Sequence, residues 1–61
     1  MQTLIKLPEV KDLTRRSRSR IYADVQAGIF PKPVKIGARS VAWVASEIND
    51  WVDARIAERS H

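Results

Sequence analysis

The stretch SRSRIYADVQAGIFPKPVKIGARSVAW, residues 17–43, decides the fold. Ser17 is a good N-cap, its hydroxyl able to accept a hydrogen bond from a free backbone N–H two or three residues on. The helix it opens runs to about Ala27, with Ile21, Tyr22 and Val25 as its apolar stripe. Gly28 then provides the left-handed stop. Phe30-Pro31-Lys32-Pro33 is extended, because a residue before proline is pushed out of the helical region. Val34 and Ile36 alternate around Lys35, and Val41 and Trp43 around Ala42, each run with the period of a strand. Gly37-Ala38-Arg39 between them reads as a tight hairpin turn. A hairpin of about residues 34–43 is unstable alone, so its apolar face is expected to pack on the helices.

Upstream, Pro8 suits the first turn of a helix, where its missing N–H costs nothing. Glu9 follows, a carboxylate at the positive end of the dipole. Val10 and Leu13 give this helix its inward face, and its span is about Pro8 to Thr14. Thr14-Arg15-Arg16 connects it to the next helix. Two short helices joined by a three- or four-residue turn form a helix-turn-helix. Downstream, Val44, Ile48, Trp51, Val52 and Ile56 fall at i, i+4, i+7, i+8 and i+12, one face of an amphipathic helix. Glu47, Asp50, Asp53 and Glu58 decorate its other sides, which makes it a scaffold behind the core. Trp43 and Trp51 lie on apolar faces and read as core aromatics, in preference to platforms for unpaired bases. The fold class is therefore mainly α with a small β-hairpin: a winged helix-turn-helix of three helices plus a two-stranded antiparallel wing. A single domain is expected over residues 1–61, with an ordered core of about 4–57.

Composition excludes several kinds of chemistry. The 61 residues include no cysteine, and the single histidine, His61, is the last residue, where a chain normally frays. No metal site and no cofactor is expected. Asp50 and Asp53 share a helix but sit on a solvated acidic face, and Ser17 has no histidine to act as base, so no enzyme is read here. No apolar run approaches the ~20 residues that span a bilayer. The N-terminus lacks the basic-then-apolar layout of a secretory signal. A soluble cytoplasmic protein acting through its surface is expected, with no membrane partner and no small-molecule substrate.

Charge says what that surface meets. The chain carries a net +4, and residues 14–40 hold seven Lys/Arg against one acid, Asp24, while the rest holds four against six. Cations scattered for solubility would mix both signs. Segregation on this scale is a footprint for a polyanion, and double-stranded DNA fits it best. At about 100° per residue, Arg16, Ser19, Arg20 and Ala23 lie opposite Ile21 and Val25. Ser19, Arg20 and Ala23 are the candidate base-reading residues of a recognition helix over about 18–27 in the major groove. An arginine there can bond guanine O6 and N7 together, serine serves a base edge, and alanine allows close approach or touches a thymine methyl. Arg15, Arg16, Ser17, Arg18, Lys32, Lys35 and Arg39 are candidates for phosphate or minor-groove contact, the wing residues on backbone or a narrow groove. Tyr22 is open between packing and a phosphate bond from its hydroxyl.

Taken together, LPEVKDLT, SRSRIYADVQAGIFPKPVKIG, the tryptophan of SVAWV and the EINDWV of the last helix resemble the AlpA-type prophage regulators. The resemblance runs from about Leu4 to Arg55, and is most specific in the SRSxIY segment followed by FPKPVKIG and Trp43. It implies a small winged helix-turn-helix protein related to MerR-type domains and phage excisionases. It further implies transcriptional control of genes on an integrated element, a prophage or similar, sometimes coupled to excision. Family members generally carry a small and an apolar residue where this chain has Arg15 and Arg16. An arginine in place of the apolar residue should loosen the turn or swing out to a phosphate. Arg20 stands where many relatives carry threonine. Two other readings use the same surface: an excisionase-like architectural factor that bends DNA for a recombinase, and an antirepressor that binds an acidic protein. Further copies on repeated sites, a recombinase or RNA polymerase are the additional partners these readings imply, and the nucleoid the place.

Overall fold

The computed structural model describes residues 2–59; His61 lies outside them. Strand β1 (Leu4–Ile5) leads into helix α1 (Leu7–Thr14), a tight turn and helix α2 (Arg18–Gln26). An extended loop then reaches strands β2 (Val34–Lys35) and β3 (Val41–Val44), and helix α3 (Ala45–Glu58) closes the chain. This is the mainly α, winged helix-turn-helix arrangement expected from the sequence, with one addition. The sheet has three strands in the order β1-β3-β2, both pairings antiparallel. Ile5 pairs with Trp43 and Leu4 with Val44, so the N-terminal strand covers the edge of β3 that the hairpin leaves open. Leu4 and Ile5 are adjacent apolar residues without the period-2 alternation that marks a strand, so nothing local signalled β1.

Every element except β2 contributes a side chain to one core. Ile5, Val10, Ile21, Phe30, Trp43 and Ile48 are buried, and Leu7, Tyr22, Val25, Val41, Trp51 and Val52 pack around them. The two indoles also fix the loop between α2 and β2. Trp43 Nε1–H donates to the Pro31 carbonyl at 2.9 Å, and Trp51 Nε1–H to the Ile29 carbonyl at 2.8 Å. Phe30 lies between these two anchors, edge-on to Trp51 with ring centroids 4.9 Å apart. A loop with two prolines and few donors of its own is thereby held by side chains from the sheet and the last helix.

Four expectations about packing and placement are corrected. The wing's first strand does not turn its apolar residues onto the helices: Val34 and Ile36 are 42% and 45% exposed. β2 is a short edge strand, and the hairpin is seated through β3, whose Ala42 and Trp43 are buried. Leu13 is exposed, because α1 ends one residue later and its inward face is the Leu7–Val10 pair. Ile56 is exposed too. At about 1.5 Å per residue, the 14 residues of α3 run about 21 Å, past the small core that Ile48, Trp51 and Val52 reach. Val44, placed on the last helix by periodicity, is instead the final residue of β3 and the N-cap of α3. Strand and helix follow without a loop, and Ala45 N–H bonds the Thr3 carbonyl at 2.8 Å.

Candidate nucleic-acid interface

Helix α2 is capped at both ends as its sequence dictates. Ser17 has an extended backbone, and its side-chain oxygen accepts from Arg20 N–H at 3.2 Å. At the other end, Gly28 adopts φ +78. Its N–H bonds the Val25 carbonyl at 3.1 Å, and Ile29 N–H bonds the Asp24 carbonyl at 3.0 Å. This is the pair of bonds that defines a Schellman stop. Between these caps, Ile21 and Asp24 are buried while Ser19, Arg20 and Ala23 are exposed. Gln26 is exposed on the same face, one turn beyond Ala23. The 3.6-residue period places it there, three positions after Ala23.

Before the helix, two adjacent arginines behave differently. Arg15 takes a left-handed backbone, φ 59 and ψ 30, and its N–H closes α1 on the Lys11 carbonyl at 2.8 Å. Its side chain is exposed. Arg16 turns inward, with a side chain only 25% exposed. Its guanidinium sits 4.9 Å from the centroid of the Trp51 ring, and Nη1 donates to Asp24 Oδ2. The expectation that Arg16 lies on the exposed face extended α2 back to residue 16. Ser17, at ψ 161, breaks the helix before that point, so the helical angle does not apply. Nor does Arg16 dangle from a loosened turn: its guanidinium spans from the α3 aromatic to the α2 carboxylate.

Asp24 is the residue that sequence reasoning missed. Counted only as the lone acid of a basic segment, it is 5% exposed and serves two cations. Oδ2 accepts from Arg16, and Oδ1 accepts from Arg20 Nε–H at 3.1 Å. Arg20 nonetheless remains 61% exposed at its side chain. The i,i+4 spacing of Arg20 and Asp24 was the signal that could have revealed the pair.

Around this centre, Arg18 is exposed with its guanidinium 5.5 Å from the Tyr22 ring centroid. Tyr22 itself is half-buried, tilted against Trp43 at 6.1 Å. On the wing, Ile36 N–H bonds the Ser40 carbonyl at 2.9 Å and closes the turn that carries Arg39. Lys32, Lys35 and Arg39 are all exposed. Among the described residues, none of Arg15, Arg18, Lys32, Lys35 and Arg39 pairs with a carboxylate. The acids of α3 are exposed on a separate element, with Glu58 paired to Arg55 at 2.8 Å.

The family model described as prophage CP4-57 regulatory protein (AlpA) matches residues 3–56. A protein of Enterobacteria phage P4, known as uncharacterized protein ORF88, is 41% identical over 58 residues, which covers 95% of this chain. The chain spans 66% of that phage protein's own length, just under two thirds. The DNA-binding transcriptional activator AlpA of Escherichia coli (strain K12) is 31% identical over 58 residues, covering 85% of this chain and 83% of the activator.

Proposed function

Because the chain belongs to the AlpA family of prophage regulatory proteins, we propose that it is a sequence-specific DNA-binding regulator of an integrated element. The observation that carries this reading is the outer face of α2. Ser19, Arg20 and Ala23 are exposed on a well-capped helix whose opposite face is core, the form a major-groove reader requires. The relative from Escherichia coli, by its name a DNA-binding transcriptional activator, points the same way.

In this reading Arg20 offers its outer nitrogens to a guanine, Ser19 a hydroxyl to a neighbouring base edge, and Ala23 close approach. Gln26 extends the face with the donor and acceptor that adenine requires. Arg15, Arg18 and the Ser17 hydroxyl serve phosphates at the start of the helix. Lys32, Lys35 and Arg39 bring the wing to the backbone or the adjacent minor groove. Arg16 contributes by bracing the turn, its charge committed to Asp24. The whole is one DNA-binding domain, and so few base contacts per copy call for further copies on repeated sites or a protein partner such as RNA polymerase or a recombinase.

The test is fluorescence anisotropy on labelled duplexes from the DNA flanking this gene, with scrambled controls, at two salt concentrations. Selective binding that survives the higher salt is the expected result. Equal binding to every duplex that collapses with salt reports counterion release alone, and favours an architectural, DNA-bending role. No binding at low salt overturns the reading in favour of a protein-binding antirepressor.

A further inference from the structure

We infer that Asp24 is a specificity-determining positioning residue: it touches no DNA, but it holds Arg20 by its Nε–H and leaves the end-on Nη pair to read a base. The inference rests on the proposal that Arg20 is a base reader. It starts from what the carboxylate does to the donors of that arginine. A guanidinium carries five N–H groups in a rigid fork. Asp24 Oδ1 takes the Nε–H at 3.1 Å, which removes the sideways pair formed by Nε and one Nη. The end-on pair, Nη1 and Nη2, is left for the major groove, and the side chain is 61% exposed. That pair matches guanine O6 and N7.

Asp24 is supported from behind by a chain of contacts. Its second oxygen accepts from Arg16, and the Arg16 guanidinium lies against Trp51, 4.9 Å from the ring centroid. Trp51 is tied by its own N–H to the Ile29 carbonyl at 2.8 Å. The line from α3 through Arg16 and Asp24 to Arg20 thus connects the packed interior to the reading atoms. Helix stability does not explain this placement. Asp24 lies in the last turn of α2, where the dipole disfavours a carboxylate, and the Arg-before-Asp order is the weaker one for an i,i+4 pair. One arginine would have sufficed to pair a buried acid, and Arg16 already does so.

Free arginine loses much rotamer freedom when it settles on a base, and a side chain fixed beforehand loses less. Removing the brace should therefore lower sequence preference without removing any DNA contact. The experiment compares wild type, Asp24→Asn, Arg20→Ala and the double variant. The probes are a duplex selected by the wild-type protein from a randomised pool and a scrambled duplex of equal composition. In Asp24→Asn a single amide oxygen faces two guanidiniums, so Arg20 Nε or Arg16 loses its acceptor. The expected result is a two- to tenfold drop in the preference ratio for Asp24→Asn, and no further drop when it is added to Arg20→Ala. A purely structural role would weaken both duplexes equally and add to Arg20→Ala, which overturns the inference. If Arg20→Ala leaves the ratio untouched, the base-reading proposal fails, and this one with it. Should Asp24→Asn fail to fold, the wild-type protein still decides: ¹⁵N relaxation of the arginine Nε groups, without DNA, should show Arg20 as rigid as the backbone and the exposed Arg39 mobile. Equal mobility of the two overturns the inference.

Discussion

Trp51→Ala should remove about a third or more of the stability of this domain. At roughly 0.05–0.15 kcal/mol per residue, a chain of 61 residues holds about 3–9 kcal/mol in all. Truncating a buried tryptophan costs about 3–5 kcal/mol, and Trp51 is half-buried, which places it toward the lower figure. Its contacts are nevertheless specific. The edge-on pairing with Phe30 at 4.9 Å contributes about 0.5–1.5 kcal/mol beyond area. Guanidiniums of Arg16 and Arg55 at 4.9 and 5.1 Å add about 0.5–1 kcal/mol each. The indole N–H on the Ile29 carbonyl adds about 1 kcal/mol. These overlap with the truncation figure, and a loss of about 3–4 kcal/mol follows. Trp51→Phe keeps a ring for Phe30 and the guanidiniums but releases Ile29, for a loss of about 1–2 kcal/mol and a Tm lower by about 4–16 °C. Urea and thermal melts by far-UV circular dichroism, with Trp43 fluorescence as a second probe, measure both. A cooperative Trp51→Ala melt within about 1 kcal/mol of wild type would refute the reasoning, since no named core mechanism then acts at this site.

Arg20→Ala should erase about 1–3 kcal/mol of preference for the selected duplex. Arg39→Ala should instead weaken selected and scrambled duplexes alike and reduce the log–log salt slope by about 0.9; anisotropy titrations at several salt concentrations check both, and an exchange of the two patterns would reverse the roles. Gly28→Ala meets no atom within 4 Å of the new Cβ, so its cost is the left-handed backbone alone, about 1–2 kcal/mol in a urea melt. Arg15→Gly, at φ 59, should move the same melt in the opposite direction by up to about 1 kcal/mol. Ile56→Ser should stay within about 0.5 kcal/mol of wild type, whereas Ile48→Ala should lose about 2–5 kcal/mol, a contrast that periodicity alone would not produce.

The helix-turn-helix was legible because its punctuation is local. Ser17, Gly28 and the two prolines of the loop act on their own backbone and its immediate neighbours, and the structure uses each as its chemistry suggests. The wing was legible for the same reason, as alternation around a turn. What stayed hidden depends on distance in sequence. β1 exists only because β3, some forty residues later, offers it an edge. The exposure of Leu13 and Ile56 reflects how far the core extends, a quantity that helical periodicity does not contain. The outer face of α2 was legible from angles within one helix. Its brace was not, because Arg16 precedes the N-cap and Trp51 lies on another element.

Arg15 and Arg16 carry this distinction into the interface itself. A count of charges treats them as equal members of a basic strip, yet only Arg15 faces solvent. Arg16 packs in the turn where the family resemblance implies an apolar residue, and a guanidinium can do so because it is planar, weakly hydrated and able to stack on an indole. That solution works only with a carboxylate beside it, since an unpaired charge in a half-buried turn is costly. Asp24 supplies the carboxylate, and being an acid with two oxygens it reaches Arg20 as well. The arginine in the turn and the acid in the last turn of α2 are therefore one feature, not two. Replacing Arg16 by an apolar residue would leave Asp24 with Arg20 as its one cation among the described residues, and the buried acid would then depend on a side chain that is 61% exposed.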